Sequence, residues 1–386
     1  MTALTLAELE AQSFPFDFTR DEFEGLMIKL SDALVSDITI VTGRPIMMKL
    51  HGLQRPVTKR ALQEAEVRKI LEWMYGANAV SEISRKRALN DRYEISLGNN
   101  QRIAFRMNAV GVLSSRGSGQ HITLRAMPRE LPRIEDMAVP QGITESINIG
   151  KGCFAVVGET GSGKSTLLAA MMGYINEHCE NRKVVTFEAP VEFDMSGMKS
   201  ATNMIIQCEI GDNLPSFYEG VKEALRQGPT DILIGEARDK ETILAMLQAA
   251  ESGHAAYVTV HAESVRTTFT RIAQEFDTSV FEQTIFKLIT QLRVVVCQRL
   301  AMPLNPGRRV PIREWLVLTP ELSHRLLRLR AMDALNEIAE EVFRQGQSFP
   351  QQAMLAYKNR LISATELTKY IGDEAISLPE VWEDAA

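Results

Sequence analysis

Apolar residues first recur at helical spacing at Phe23, Met27, Leu30 and Leu34, behind the capping box Thr19-Arg20-Asp21-Glu22. This pattern predicts a leading helix. Short strand-like runs follow at Asp37 to Ile40 and Pro45 to Leu50, parted by Gly43 and Arg44 and closed by Gly52. Val67, Ile70, Leu71 and Met74 share one face of a second helix over Ala61 to Tyr75, with Gly76 as its stop. Arg92 to Leu97 and Gln101 to Val110 read as a hairpin around Gly98-Asn99-Asn100, and a loop from Ser114 to Gly119 leads into a strand at His121 to Ala126. Several short strands with two helices make an α+β unit, which ends near the proline-containing stretch Pro128 to Pro140.

Beyond that stretch the pattern changes. Cys153 to Val157 is a continuous apolar run, and Lys183 to Phe187, Ile232 to Ile234 and Ala256 to Val260 read as further buried strands. Between them lie helices through about His178, from the Ser216-Phe217-Tyr218-Glu219 cap to Arg226, and over Lys240 to Ser252. Buried strands alternating with helices predict a mostly parallel sheet covered on both faces. From Ser264 the chain reads as mainly helical, interrupted by one strand at Arg313 to Leu318 and ending in a small helical bundle from Glu321. The predicted divisions are 1–130, a linker at 131–148, a core at 149–320 and a helical region at 321–386.

The phosphate-binding signal is Gly158-Glu159-Thr160-Gly161-Ser162-Gly163-Lys164-Ser165, followed by Thr166. It lies between a buried strand and a helix, where such a loop must lie to function. Its glycines let successive N–H groups turn inward as a nest for phosphate oxygens, and the helix N-terminus adds partial positive charge. Lys164 supplies a full charge that can reach the β- and γ-phosphates, and the Ser165 hydroxyl suits Mg²⁺. ATP and Mg²⁺ are therefore the expected ligands.

Acidic residues follow two of the buried strands, as Glu188-Ala189-Pro190-Val191-Glu192 and as Glu236 after Asp231-Ile232-Leu233-Ile234-Gly235. In an open parallel sheet the ligand crevice lies beyond the carboxyl ends of the strands. Hydrolysis needs one carboxylate to hold the attacking water and another to orient water on the metal. The residues alone do not divide these roles, although Glu188 suits a solvated loop-end acid better than the other two. His254, after the helix-stop Gly253, and His261 suit structural or catalytic positions equally.

Composition changes little in this picture. The 386 residues carry a formal net charge of −6, which argues against a protein-wide grip on nucleic acid and against a DNA translocase. Four scattered cysteines without CxxC spacing read as buried free thiols, not a disulfide framework or zinc site. The first thirty residues lack a signal-peptide layout, and no stretch reaches the length of a membrane-spanning helix. Membrane contact is expected through partners only.

Taken together, GETGSGKST, EAPVEF, DILIGEARD and AAESGHAAYVTVH resemble, in order, the phosphate loop, Asp box, Walker B segment and His box of the PilT/VirB11-type secretion ATPases. The resemblance spans about Ser36 to Leu318. It implies a RecA-like P-loop core with an N-terminal PAS-like α+β domain, ATP hydrolysis with Mg²⁺, and a cytoplasmic homo-hexamer docked on an inner-membrane complex. Glu192 falls on the family's catalytic glutamate, Glu236 on its Walker B glutamate, and His254 and His261 on its two His-box histidines. The N-terminal domain of this family donates arginines to the nucleotide, which points to Arg106 (RMNA), Arg116 (SSRGSG) and Arg125 (LRAMP); each also suits a solvated surface position. Arg226 and Arg238 match family positions without a clear role.

The chain departs from pilus retraction motors. Ala189 replaces their usual Asp-box aspartate, Cys208 replaces an arginine, Ala255 follows His254, and the C-terminal helices differ. With the SDITI opening and the REWLVL strand, these features are similar to the DotB/TraJ branch, which serves type IVB secretion and conjugative plasmid transfer. Pilus retraction is the alternative within the same chemistry, and a nucleotide-binding scaffold that does not hydrolyse ATP is the alternative from another class.

Overall fold

A computed structural model describes residues 15–371 apart from 34, 51–52, 99–100, 115–116, 129 and 306. The chain divides into two compact units, Met1–Glu130 and Leu131–Ala386.

In the first unit, α1 (Arg20–Asp32) opens on the expected box: Thr19 Oγ1 accepts from the Glu22 N–H, and the Glu22 carboxylate accepts from the Thr19 N–H at 2.7 Å. Phe23, Met27 and Leu30 of its periodic series are fully buried; Leu34 lies outside the described residues. Strands β1 (Asp37–Val41), β2 (Met47–Leu50), β3 (Leu53–Pro56), β4 (Leu89–Gly98), β5 (Gln101–Ser114) and β6 (Gly117–Ala126) form an antiparallel sheet in the order β3-β2-β1-β6-β5-β4. Helices α2 (Glu64–Tyr75) and α3 (Ala79–Ser84) contribute Val67, Ile70, Leu71 and Ile83 to the core on its inner face.

Three expectations are corrected here. Helix α2 begins at Glu64 rather than Ala61, because Glu66 caps the Gln63 N–H at 2.7 Å and pairs with Arg60, fixing the start. The loop read between Ser114 and Gly119 shrinks to residues 115–116, since β5 and β6 stay paired as far as Ser114 and Gly117. Strand β3 and helix α3 were not anticipated; β3 is mostly exposed and carries no apolar alternation.

The second unit holds β7 (Gly152–Val157), β8 (Lys183–Glu188), β9 (Met204–Glu209), β10 (Asp231–Ile234), β11 (Ala255–Val260), β12 (Leu292–Ala301) and β13 (Val310–Val317) in the order β13-β12-β7-β11-β10-β8-β9. Every pairing is parallel except that of β12 with β13. Cys153, Ala155 and Val157 enter the core on one face, while Phe154 and Val156 enter the core on the other. That is the two-sided burial which produces continuous apolar runs. Helix α4 (Gln141–Thr144) precedes β7. Helix α5 (Lys164–His178) covers one face, and α6 (Phe217–Gln227), α7 (Lys240–Glu251), α8 (Val265–Ala273) and α9 (Phe281–Gln291) cover the other.

The reading of the chain after Ser264 as mainly helical is corrected by β12. Its Val294-Val295-Val296 run is β-branched and fully buried against β7. Strand β9 was also not anticipated. The C-terminal helices α10 (Pro320–Leu326), α11 (Ala331–Arg344), α12 (Phe349–Lys358) and α13 (Ala364–Ile371) do form, but they share the core of the sheet instead of packing as a separate bundle. Of the four thiols, Cys153 and Cys297 are buried and Cys179 and Cys208 only half-buried; all four are free.

Candidate active site

Parallel pairing sets the ends of β7, β11, β10 and β8 side by side, so the phosphate loop, His261, Glu236 and Glu188 emerge along one edge of the sheet. The loop leaves β7 at Gly158, whose N–H donates to the Val260 carbonyl at 3.3 Å. It passes into α5 at Gly163. Gly158 has φ +146°, and a Cβ there would stand 2.4 Å from the Gln298 carbonyl oxygen. Gly163 has φ +86°, and a Cβ would stand 2.8 Å from Gln298 Nε2. These glycines are required by the close approach of β12 as well as by backbone conformation. Gly158→Ala is expected to bind ATP at least about tenfold more weakly, because about 1–3 kcal/mol of strain can be relieved only by shifting the loop. Calorimetric titration against the wild type checks this.

Lys164 is the first residue of α5. Its Nζ donates to the carbonyls of Gly158 at 2.8 Å and Glu159 at 2.7 Å, and only 8% of the residue is exposed. Burial pushes its pKa down, opposed by the negative fields of Glu236 and Glu192. Ser165 and Thr166 follow on the first turn, half-buried.

Glu236 pairs closely with Arg238 through Oε2. Its Oε1 lies 2.9 Å from His261 Nε2 but off the axis of a hydrogen bond, leaving a buried acceptor without a donor among the described residues. Burial and then the Lys164 charge push the His261 pKa down, against the pull of Glu236. Thr160, Glu236, Arg238, His261, Arg271 and Glu275 line a cavity of about 360 Å³. Arg271 and Glu275, an ion pair, were not found from sequence.

Burial pushes the Glu188 pKa up, while Thr186 Oγ1 and Gln207 Nε2 both donate to its Oε1, at 2.7 and 3.0 Å. Glu192 is half-buried, close enough for its charge to act on Lys164, and its carboxylate takes no hydrogen bond from any described residue.

His254 stands elsewhere. It precedes β11, whose six residues run from it to His261, so the two histidines lie at opposite ends of the sheet, roughly 20 Å apart at the rise of an extended strand. Its Nδ1 is within hydrogen-bond distance of Ser252 Oγ (3.0 Å) and the Ala249 carbonyl (3.2 Å). The structure does not bring His254 to the phosphate loop of its own chain.

The arginines taken from the resemblance lie in the first unit. Arg106 and Arg125 are cross-strand neighbours on β5 and β6, and Arg92 on β4 is the next residue in the same row. Arg125 Nε donates to Asp37 at 2.8 Å, whereas Arg106 is half-buried without an ion-pair partner among the described residues. Arg116 lies outside the described residues. Arg226 pairs with Glu223 on the surface of α6.

A glycine loop between a buried parallel strand and a helix, with a buried lysine and carboxylates at the same sheet edge, defines a P-loop nucleoside triphosphatase with a RecA-like core. The sequence model of the family described as Type II/IV secretion system protein matches residues 36–354. The chain belongs to that family and is an ATPase. It is 30% identical to the type IV pilus ATPase PilU of Pseudomonas aeruginosa over 340 residues, 86% of this chain and 84% of that protein. It superposes on the ATPase DotB of Legionella pneumophila with a TM-score of 0.83 at 32% identity, covering 93% of this chain and 97% of that one. The pilus retraction motor PilT with bound ADP superposes with a TM-score of 0.79 at 26% identity, over 95% of this chain and 99% of that one.

Proposed function

We propose that the chain is a cytoplasmic homo-hexameric motor that energises a type IVB secretion or conjugative plasmid transfer apparatus, held at the inner membrane by partner proteins. The observation that carries this reading is the agreement with DotB along nearly the whole length of both chains. No described helix is long and apolar enough to cross a membrane, which fits attachment through partners.

In this reading the nest of loop N–H groups and the Lys164 ammonium grip the triphosphate of ATP. Glu192 holds the attacking water and accepts its proton. Ser165 and Glu236 are the residues that would hold Mg²⁺, which when bound would supply positive charge against the phosphates. The buried, undonated Oε1 of Glu236 fits a metal-bound water as its donor. Arg106, Arg116 and Arg125 act on the nucleotide of a neighbouring subunit, where guanidinium groups spread γ-phosphate charge. His261 reports nucleotide state through Glu236, and His254, held by Ser252 and Ala249 at the other end of the sheet, has no assigned role at the nucleotide of its own subunit.

Two measurements test the proposal. Native mass determination with non-hydrolysable ATP is expected to give a ring of six, and a protein that stays monomeric at saturating nucleotide defeats the hexamer. Deletion in the host is expected to abolish conjugative transfer or effector delivery. The similarity to PilU and PilT favours a second reading, pilus retraction; a deletion that abolishes twitching and leaves transfer intact establishes it instead.

A further inference from the structure

Arg313 on β13 is 3% exposed, and no carboxylate pairs with it among the described residues. Its guanidinium holds three neutral oxygens. Nε donates to Gln298 Oε1 at 2.8 Å, and Nη1 and Nη2 donate to the carbonyls of Ala138 at 2.9 Å and Met137 at 3.0 Å. Burial alone pushes its pKa down to about 10, so it remains charged at neutral pH. An apolar side chain could fill this place in the strand without burying a charge. What the guanidinium adds is its grip on those oxygens.

Gln298 is 1% exposed and passes the contact on: its Nε2 donates to the Ser162 carbonyl, inside the phosphate loop, at 2.7 Å. Because a guanidinium can only donate, it compels the amide oxygen of Gln298 to face it and the NH₂ to face the loop. The same glutamine meets the loop at both ends, its backbone oxygen against Gly158 and its amide nitrogen against Gly163. At the far end of the chain of bonds, Ala138 sits at φ +46°, a left-handed conformation uncommon outside glycine, directly after the helical turn Ile134–Met137. That stretch leads from the first unit of the chain into β7.

We propose that Arg313 and Gln298 are positioning residues for the ATPase reaction, a buried relay that orients the phosphate loop through the Ser162 carbonyl and ties it to Met137 and Ala138. Neither residue touches the nucleotide in this scheme; both act by fixing where the loop presents its N–H groups. The relay rests on the assignment of residues 158–165 as the phosphate loop.

The test separates grip on phosphate from stability. In Arg313→Met/Gln298→Met the bond between the two side chains is replaced by apolar contact, while the carbonyls of Ser162, Met137 and Ala138 lose their donors. This variant is expected to melt below the wild type but to stay folded at the assay temperature, and there to bind ATP and ADP about tenfold more weakly and to lose kcat/KM by at least that factor. Arg313→Met alone is expected to weaken ATP binding too, and adding it to Gln298→Met is expected to weaken binding no further. If the double variant does not fold, Gln298→Glu takes its place: it keeps a partner for Arg313 but removes the donor to Ser162, and the same tenfold loss is expected. A folded variant of either kind that binds ATP as the wild type does overturns the relay. Wild-type protein that binds no ATP at all overturns the phosphate-loop assignment instead, so the two failures are distinguishable.

Discussion

Lys164→Ala is expected to abolish measurable ATP turnover, a loss of at least about a thousandfold in kcat/KM. The size of the effect follows from what surrounds the ammonium. Lys164 is buried, and the negative fields of Glu236 and Glu192 act on it from the same edge of the sheet. Removing its charge leaves two carboxylates facing an incoming triphosphate without the one full positive charge inside the loop itself. Like charges in a partly desolvated site repel far more strongly than they do in water. Binding is therefore lost together with chemistry, and calorimetry is expected to detect no ATP affinity at micromolar concentrations. The fold should survive, because the lysine's hydrogen bonds go only to the loop's own carbonyls. A variant that releases phosphate at a rate within tenfold of the wild type would defeat this account of the loop.

The phosphate loop was legible because its signal is local: glycines, lysine and serine at fixed offsets between a strand and a helix require no knowledge of distant partners. The same holds for α1, where Thr19 and Glu22 bond to each other across three residues. Strand β12 was missed although its valine run favours a strand, because the helix before it and the polar residues after it hid the change of period. With β12 went Gln298, which can be connected to the loop only once β12 is known to pair with β7. Arg313 reads as the start of a strand and carries no sign of its role in the sequence. Its contacts lie 175 residues back at Ala138, and its effect on the loop passes through a bond between residues 136 apart. The histidines show the opposite limit. Their motif spacing is right, but a strand fills the interval between them, and seven residues of extended chain carry His254 to the other end of the sheet. The resemblance that named them gives spacing along the chain, not proximity in space.

Glu192→Gln is expected to lower kcat by about a hundred- to ten-thousandfold, the range for removing a general base, while ATP still binds. Glu188, Glu192 and Glu236 are the candidates at this edge, and their surroundings separate them. The Glu188 carboxyl is pinned on Oε1 by Thr186 and Gln207, which hold it in place as a structural acceptor, and burial pushes its pKa up. Glu236 is committed on one oxygen to Arg238, and its other oxygen suits a water on the metal. Glu192 alone presents a half-buried carboxylate with no hydrogen bond from any described residue, free to take the proton of an attacking water. The amide of glutamine keeps the shape and removes the basicity. Glu236→Gln is expected to differ in kind, requiring about tenfold more magnesium for half-maximal turnover, because it weakens the hold on the metal rather than the attack of the water that Glu192 holds. Glu188→Gln is expected to stay within about tenfold of the wild type, since an amide oxygen can still accept from Thr186 and Gln207. Single-turnover phosphate release across a magnesium titration distinguishes the three. Should Glu188→Gln lose the burst while Glu192→Gln retains it, the base is Glu188.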